Sequence, residues 1–432
     1  MSAHQTKLRP SISLRFPSRL LVVLAIILGP ALVPPASCSP FSDAVITASD
    51  RVKVARRNLL VLPVHSLETN ISLRAASYIS QMKEASEKLV VTYLEGLPVN
   101  SIPDVKKIED DLNKLIESRR ILLDRTTPVE AESSRFGYEA WFEARVTSDE
   151  RQLLQIISTF SIQCGQDSML LIFEPNKKEK TWKEILNWQS APYKAVYKAL
   201  NIFQYAISPS DSQGKWYVLG ADNPAHCSSC WGVQRYYILR PNDNSTRPII
   251  QFKDWGTLYE CGGPAELAAY ANDFDVRFEG RGIQVEDPVR PHICHYDLKN
   301  GRFVRTQPVA NTARDFVDEW ITAPWKEASM WCLLEDCEEL KMEHEALQEI
   351  ANKSGDLKFG AAQQLRRSPQ LTQVELWDSN AAETDPSWYF SIKRESNKFT
   401  MMQITRRARV KKSRSSKISN HQRSHSLPDL ES

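Results

Sequence analysis

The chain reads as an α+β protein: an N-terminal helical segment, a β-rich antiparallel middle domain, and a C-terminal domain in which a kinked helix packs on a small antiparallel sheet. Three observations predict this. Apolar residues recur at 3–4 spacing after Asp104, short alternating or continuous apolar runs separated by turn residues fill the stretch from Phe136 to about Ala310, and helical spacing returns at Asn311 before a last group of strands.

The first element is a leader. Lys7, Arg9, Arg15 and Arg19 make a basic flank with no acid before Asp43, Leu20–Leu28 is apolar, and Ala36-Ser37-Cys38-Ser39 supplies small residues. These are the three parts of a secretory signal, so residues 1–38 are expected to be a signal peptide and the protein to be exported, in the periplasm, at the cell envelope or outside the cell. The apolar core is too short for a stable membrane span, and no later run approaches that length, so no transmembrane segment is expected in the mature chain.

Residues 39–134 are expected to hold a linker and a helical segment. Phe41 to about Leu60 is mixed in composition and reads as a loose linker, and Ser66–Leu94 reads as helix. Val105, Ile108, Leu112, Leu115 and Leu122 then form one stripe behind Pro103.

Residues 135–310 form the expected β-rich domain. Strands are expected at Leu154–Ile162, Met169–Phe173, Trp216–Leu219, Tyr236–Leu239, Ile249–Phe252 and Phe274–Phe278. Asn300-Gly301 supplies the two positive φ angles of a type I′ turn, joining His295–Leu298 to Arg302–Arg305. Tyr193, Val196, Tyr197 and Leu200 are spaced as an amphipathic helix within this domain.

Residues 311–405 form the expected α+β domain. Phe316, Trp320, Trp325 and Trp331 anchor a helix that Pro324 divides, Leu333–Ile350 continues as an acidic helix, and strands follow at Gln373–Trp377, Trp388–Lys393 and Lys398–Thr405. Residues 406–432 are basic, Ser-rich and poor in large apolar residues, so a disordered basic tail is expected. Such a tail can touch an anionic surface or a component of the cell envelope, with a strength that falls as salt rises.

Net charge is +2, which gives no whole-molecule field for nucleic acid, and no specific nucleic-acid motif is present. Of eight Cys, Cys38 leaves with the leader and seven remain, an odd number, in a compartment that permits disulfides. Cys227 and Cys230 make the only CxxC, expected as a local disulfide or as buried thiols. A redox role would need a helix where Tyr236–Leu239 reads as a strand. The alternative is a zinc site drawn from His226, Cys227, Cys230, His292, Cys294 and His295, weakened because the last three lie on a strand that alternates faces. Cys332 and Cys337 diverge if both lie on one helix. Asp273, Asp275, Glu286 and Asp287 sit near strand ends and could supply an acid–base pair. There is no nucleophile elbow, HExxH, Walker loop or dinucleotide fingerprint, and no cofactor is expected.

Three stretches carry a resemblance: Phe160-Ser161-Ile162-Gln163-Cys164-Gly165-Gln166-Asp167 running into Leu170-Leu171-Ile172-Phe173; Cys230-Trp231 leading to Ile238-Leu239-Arg240; and Asp318-Glu319-Trp320 with Pro324-Trp325-Lys326-Glu327-Ala328. Together they resemble a group of uncharacterised exported bacterial proteins of unknown function, over roughly Phe136 to Met402. The resemblance implies export and the two-part layout and transfers no site residues. The leading expectation is a non-catalytic binding or structural role at the cell envelope, in which exposed aromatics can stack on sugars. The alternative is a secreted or periplasmic hydrolase with a carboxylate/histidine site in the β-rich domain.

Overall fold

A computed structural model describes residues 41–62, 70–99, 103–117, 135–163, 165–190, 192, 194, 200–224, 230–259, 261, 263–284, 288–333, 337–353, 357–380, 382 and 386–408. Residues 1–38, expected as a leader, therefore lie outside the described residues, as do Cys164, His226, Cys227, Glu286, Asp287, Leu122 and the tail beyond Ala408.

The stretch expected as a loose linker is a helix, α1 (Asp43–Leu60). Its buried stripe is Val45, Ala48, Val52, Ala55 and Leu59, a 3–4 pattern of small residues whose amphipathicity is diluted by many charges. It packs on α2 (Leu73–Glu95), whose first turn is capped by Ser72 accepting from the Ala75 amide. The helix α3 (Val105–Leu115) starts behind Asp104, which accepts from the Lys107 amide, and buries Ile108, Leu112 and Leu115 as its stripe predicts.

These helices are bolted to the β-rich part by buried polar side chains. Arg56 donates to the carbonyls of Gly137 at 2.8 Å, Tyr138 at 2.6 Å and Glu117 at 3.1 Å. Lys83 meets Asp167 at 3.0 Å and Ser190 Oγ at 2.6 Å. Asn113 both donates to the Phe142 carbonyl and accepts from the Phe142 amide.

The β-rich part is one antiparallel sheet of twelve strands among the described residues: β1 (Ala140–Val146), β2 (Leu154–Ile162), β3 (Gly165–Asn176), β4 (Thr181–Gln189), β5 (Leu200–Ile207), β6 (Val218–Pro224), β7 (Trp231–Asn242), β8 (Ser245–Tyr259), β9 (Glu266–Ala269), β10 (Asp273–Arg281), β11 (Val289–Lys299) and β12 (Arg302–Thr306). The order is β1-β2-β3-β5-β6-β7-β8-β10-β11-β12, with β4 on β3 and β9 on β10. The Asn-Gly hairpin forms in the expected register, Tyr296 opposite Arg305, with φ of 50° at Asn300 and 75° at Gly301. Alternation on β2 is not the burial pattern, because all nine of its residues are covered, with β1 and β3 beside it. The helix expected around Tyr193–Leu200 falls on residues 193 and 195–199, which lie outside the described set, and Leu200 opens β5.

The C-terminal part follows the predicted plan. The helix α4 (Ala313–Thr322) is capped by Thr312, and extended Ala323 and Pro324 separate it from α5 (Trp325–Ala328). A short 3-10 turn at Ser329–Trp331 leads on to α6 (Cys337–Lys353), and the sheet order is β13 (Leu357–Leu365), β14 (Ser368–Asp378), β15 (Pro386–Glu395) and β16 (Lys398–Ala408). The strand β13 has no counterpart in the sequence reading, because Gly360-Ala361-Ala362-Gln363-Gln364 carries little strand propensity. Trp320, Phe316, Phe390, Phe399 and Met401 fill the core between these helices and this sheet. Arg406 and Arg407, expected in the tail, are the end of β16: Arg406 lies over the Trp388 ring at 5.2 Å and meets Glu343 at 2.9 Å. No helix among the described residues is long and apolar enough to cross a membrane.

Candidate functional site

Strand alternation sorts the middle domain into two faces. Along β11, Arg290, His292, Cys294 and Tyr296 fall on one side and Ile293, His295 and Asp297 on the other. The candidate metal ligands on this strand are therefore divided. His295 donates to Asp275 at 2.6 Å and to Asp297 at 3.1 Å, whereas His292 and Cys294 line a cavity on the opposite face. Among the described residues no group of His, Cys, Asp and Glu has a metal-holding arrangement; His226 and Cys227 lie outside them.

The expected Cys227–Cys230 pairing is overturned. Cys230 is bonded to Cys261. The reason is register: Trp231 stands opposite Tyr259 in the β7–β8 pair, so the residues just outside those positions emerge side by side at the same end of the hairpin. Cys294, Cys332 and Cys337 are free thiols, and Cys332 precedes α6 instead of sharing it with Cys337.

Of the carboxylates singled out by sequence, Asp275 meets His295 from the position opposite it, and Asp273, opposite Asp297, acts on that histidine through its charge alone. The hydrogen bond from His295 is the largest influence holding Asp275 below the ordinary carboxylate range, and Asp275 in turn raises His295. With both ring nitrogens directed at carboxylates, His295 is a clamped cation with no nitrogen left to take a substrate proton. This cluster is an ion lock across β10 and β11.

The other face holds the candidate site. A cavity of about 800 Å³ opens between β8, β10 and β11 on one wall and the end of α4 with α5 on the other. Its floor is a buried ion network. Asp318 accepts from Arg290 Nε at 2.8 Å and from the Ile283 amide at 2.8 Å. Glu319 accepts from Arg290 at 2.6 Å and from Arg305 at 2.5 Å. Burial alone would raise the Glu319 carboxyl, but Arg305 and Arg290 outweigh it and hold the group well below its usual range. His292 sits above this network, 3.4 Å from Glu319, its ring stacked on Phe278 at 5.1 Å. Gly280 makes room for it: a Cβ there would lie 2.6 Å from the imidazole and 2.3 Å from the Thr257 carbonyl.

The walls carry further polar groups. Tyr296 donates to Asp254 at 2.5 Å and lies 3.1 Å from the Tyr236 hydroxyl. Across the cavity, Glu327 touches Arg305 at 3.4 Å. Burial pushes the Glu327 carboxyl up, Arg305 opposes that, and the charge of Asp254 adds to it. At the mouth stands Trp255, 64% exposed despite its size. The site thus presents two acceptor carboxylates and a buried guanidinium to one space, with the exposed Trp255 at its rim.

Sequence reasoning placed His292 and Cys294 here for a different purpose and missed Asp254, Trp255, Arg305 and Glu327. The available signal was Phe252-Lys253-Asp254-Trp255, a charge and a bare aromatic inside an apolar strand run. The chain matches no family model and no curated protein.

Proposed function

We propose that this is an exported, non-catalytic binding protein that takes a small polyhydroxylated ligand, of the kind a saccharide presents, in the cavity beside Trp255. The observation that carries the reading is the meeting of the Asp254 and Glu327 carboxylates around one cavity, with the exposed Trp255 at its rim. An indole face accepts the C–H side of a sugar ring, while carboxylates accept from its hydroxyls and a guanidinium donates to them. A volume of about 800 Å³ lies within the range of small-ligand pockets. Export is supported by the basic and apolar leader and by the Cys230–Cys261 bond, which an oxidising compartment permits.

The test is titration of the full mature chain with a panel of mono- and oligosaccharides, read by tryptophan fluorescence and calorimetry. Saturable binding lost in Trp255→Ala, with folding retained, is the expected result. No saccharide bound at millimolar concentration defeats the reading.

A second reading is favoured by Glu327. A carboxyl raised by burial and by a facing carboxylate is suited to donate a proton, with Asp254 as the ionised partner, as in glycoside hydrolysis. Turnover of a bound saccharide that Glu327→Gln abolishes without weakening binding would replace binding by hydrolysis.

A further inference from the structure

The strand β7 has a second face. Its neighbouring residues Tyr236 and Tyr237 point opposite ways, Tyr236 toward the cavity just described and Tyr237 into another of about 700 Å³. This second space lies between the end of β4 and the outer faces of β6, β7 and β8. One wall is aromatic: Trp188 stacks on Phe203 at 4.1 Å and against Tyr237 at 6.0 Å.

The charges around it do not balance. Lys194, Arg235, Arg247 and Lys253 line the cavity, against the single carboxylate of Asp222. That carboxylate is already committed, since Arg235 donates to it at 2.5 Å. Among the described residues the Arg247 side chain reaches the amide oxygen of Asn187, at 3.3 Å, and no carboxylate; Glu184 of β4 is near enough to influence it but forms no ion pair with it. Lys253 has no ion pair among the described residues. The Tyr237 hydroxyl is buried on the same wall beside Asp222, close enough for each to influence the other.

We infer that this cavity is a second binding site, for a small organic anion carrying a phosphate or carboxylate on a flat or apolar body. Arg247 and Lys253 would meet the anionic group, the planar guanidinium in bidentate fashion and the ammonium as a point charge. Trp188 and Tyr237 would cover the body. Lys253 and Asp254 are consecutive on β8 but belong to different cavities, so the two sites share a strand and not a lining side chain.

The probe is phenyl phosphate, titrated calorimetrically into the full mature chain, with inorganic phosphate, benzoate and neutral benzyl alcohol as comparisons. Phenyl phosphate is expected to bind with an affinity that falls as salt rises, benzyl alcohol not to bind, and Arg247→Ala and Lys253→Ala each to weaken binding at least tenfold. Lys253→Arg should retain most of it, and Glu327→Gln, in the other cavity, should leave it unchanged, which separates this site from the saccharide reading. Vesicles containing phosphatidylglycerol distinguish the source of the anion: sedimentation with them that depends on Lys253 assigns a lipid headgroup, and soluble binding alone assigns a free anion. Absence of saturable phenyl phosphate binding, or binding indifferent to both Arg247→Ala and Lys253→Ala in folded protein, overturns the inference.

Discussion

Arg305 donates to Glu319 at 2.5 Å across the boundary between the large sheet and the C-terminal helices, and both side chains are almost fully buried. Arg290 joins them from the neighbouring strand. Charges removed from water at this cost are tolerated only because each is answered by a partner of good geometry.

Glu319→Gln should therefore lower stability by about 3–5 kcal/mol, since it leaves two buried guanidinium groups short of a counter-charge. Chemical denaturation of the variant measures this. A change under about 1 kcal/mol would mean that the network is wetter than its burial indicates. The same carboxyl sets an acid limit. Its folded pKa is depressed, so its contribution is present above the ordinary carboxylate value near 4.3 and is lost as pH falls toward the depressed one.

His295 has the opposite sign. The hydrogen bond from His295 to Asp275, outweighing burial, raises its pKa, so its stabilisation is complete below the unfolded value near 6.5 and fades as pH rises through the folded one. An NMR titration should find its ring still protonated where a free imidazole has lost its proton. A midpoint at or below 6.5 would show that the Asp275–His295–Asp297 lock is not formed.

Cys261→Ser should cost about 2–4 kcal/mol, because the bond to Cys230 closes a loop with a sequence separation of 31. Peptide mapping without reductant should recover Cys230 linked to Cys261. Recovery of Cys230 linked to Cys227 would restore the local pairing.

Arg56→Ala removes a buried guanidinium that three carbonyls share. Loss of such charge-assisted bonds should cost about 2–3 kcal/mol or more, and α1 should become the first target of limited proteolysis. Equal protection of α1 in variant and wild type would show that apolar packing alone holds it.

Several elements could be read directly from the chain. Asn300-Gly301 dictated a hairpin in one register, and Pro324 divided the aromatic-anchored helix where α4 gives way to α5. The stripe from Val105 to Leu115 buried the face it predicted. The elements missed were those with weak local signals. Small residues line the buried stripe of α1, and β13 is rich in Ala and Gln, so each is stabilised by what packs against it more than by its own propensity.

What the amino-acid order determined alone was local: which segments alternate, which repeat at helical spacing, and where turns break them, because those preferences act within a few residues. Only tertiary structure decided that Cys230 would join Cys261, that His292 and His295 would part to opposite faces, and that Asp254 and Glu327 would face one cavity. Those outcomes depend on strand register and on burial across long stretches of chain. A shift of one residue in either strand would have exchanged every partner.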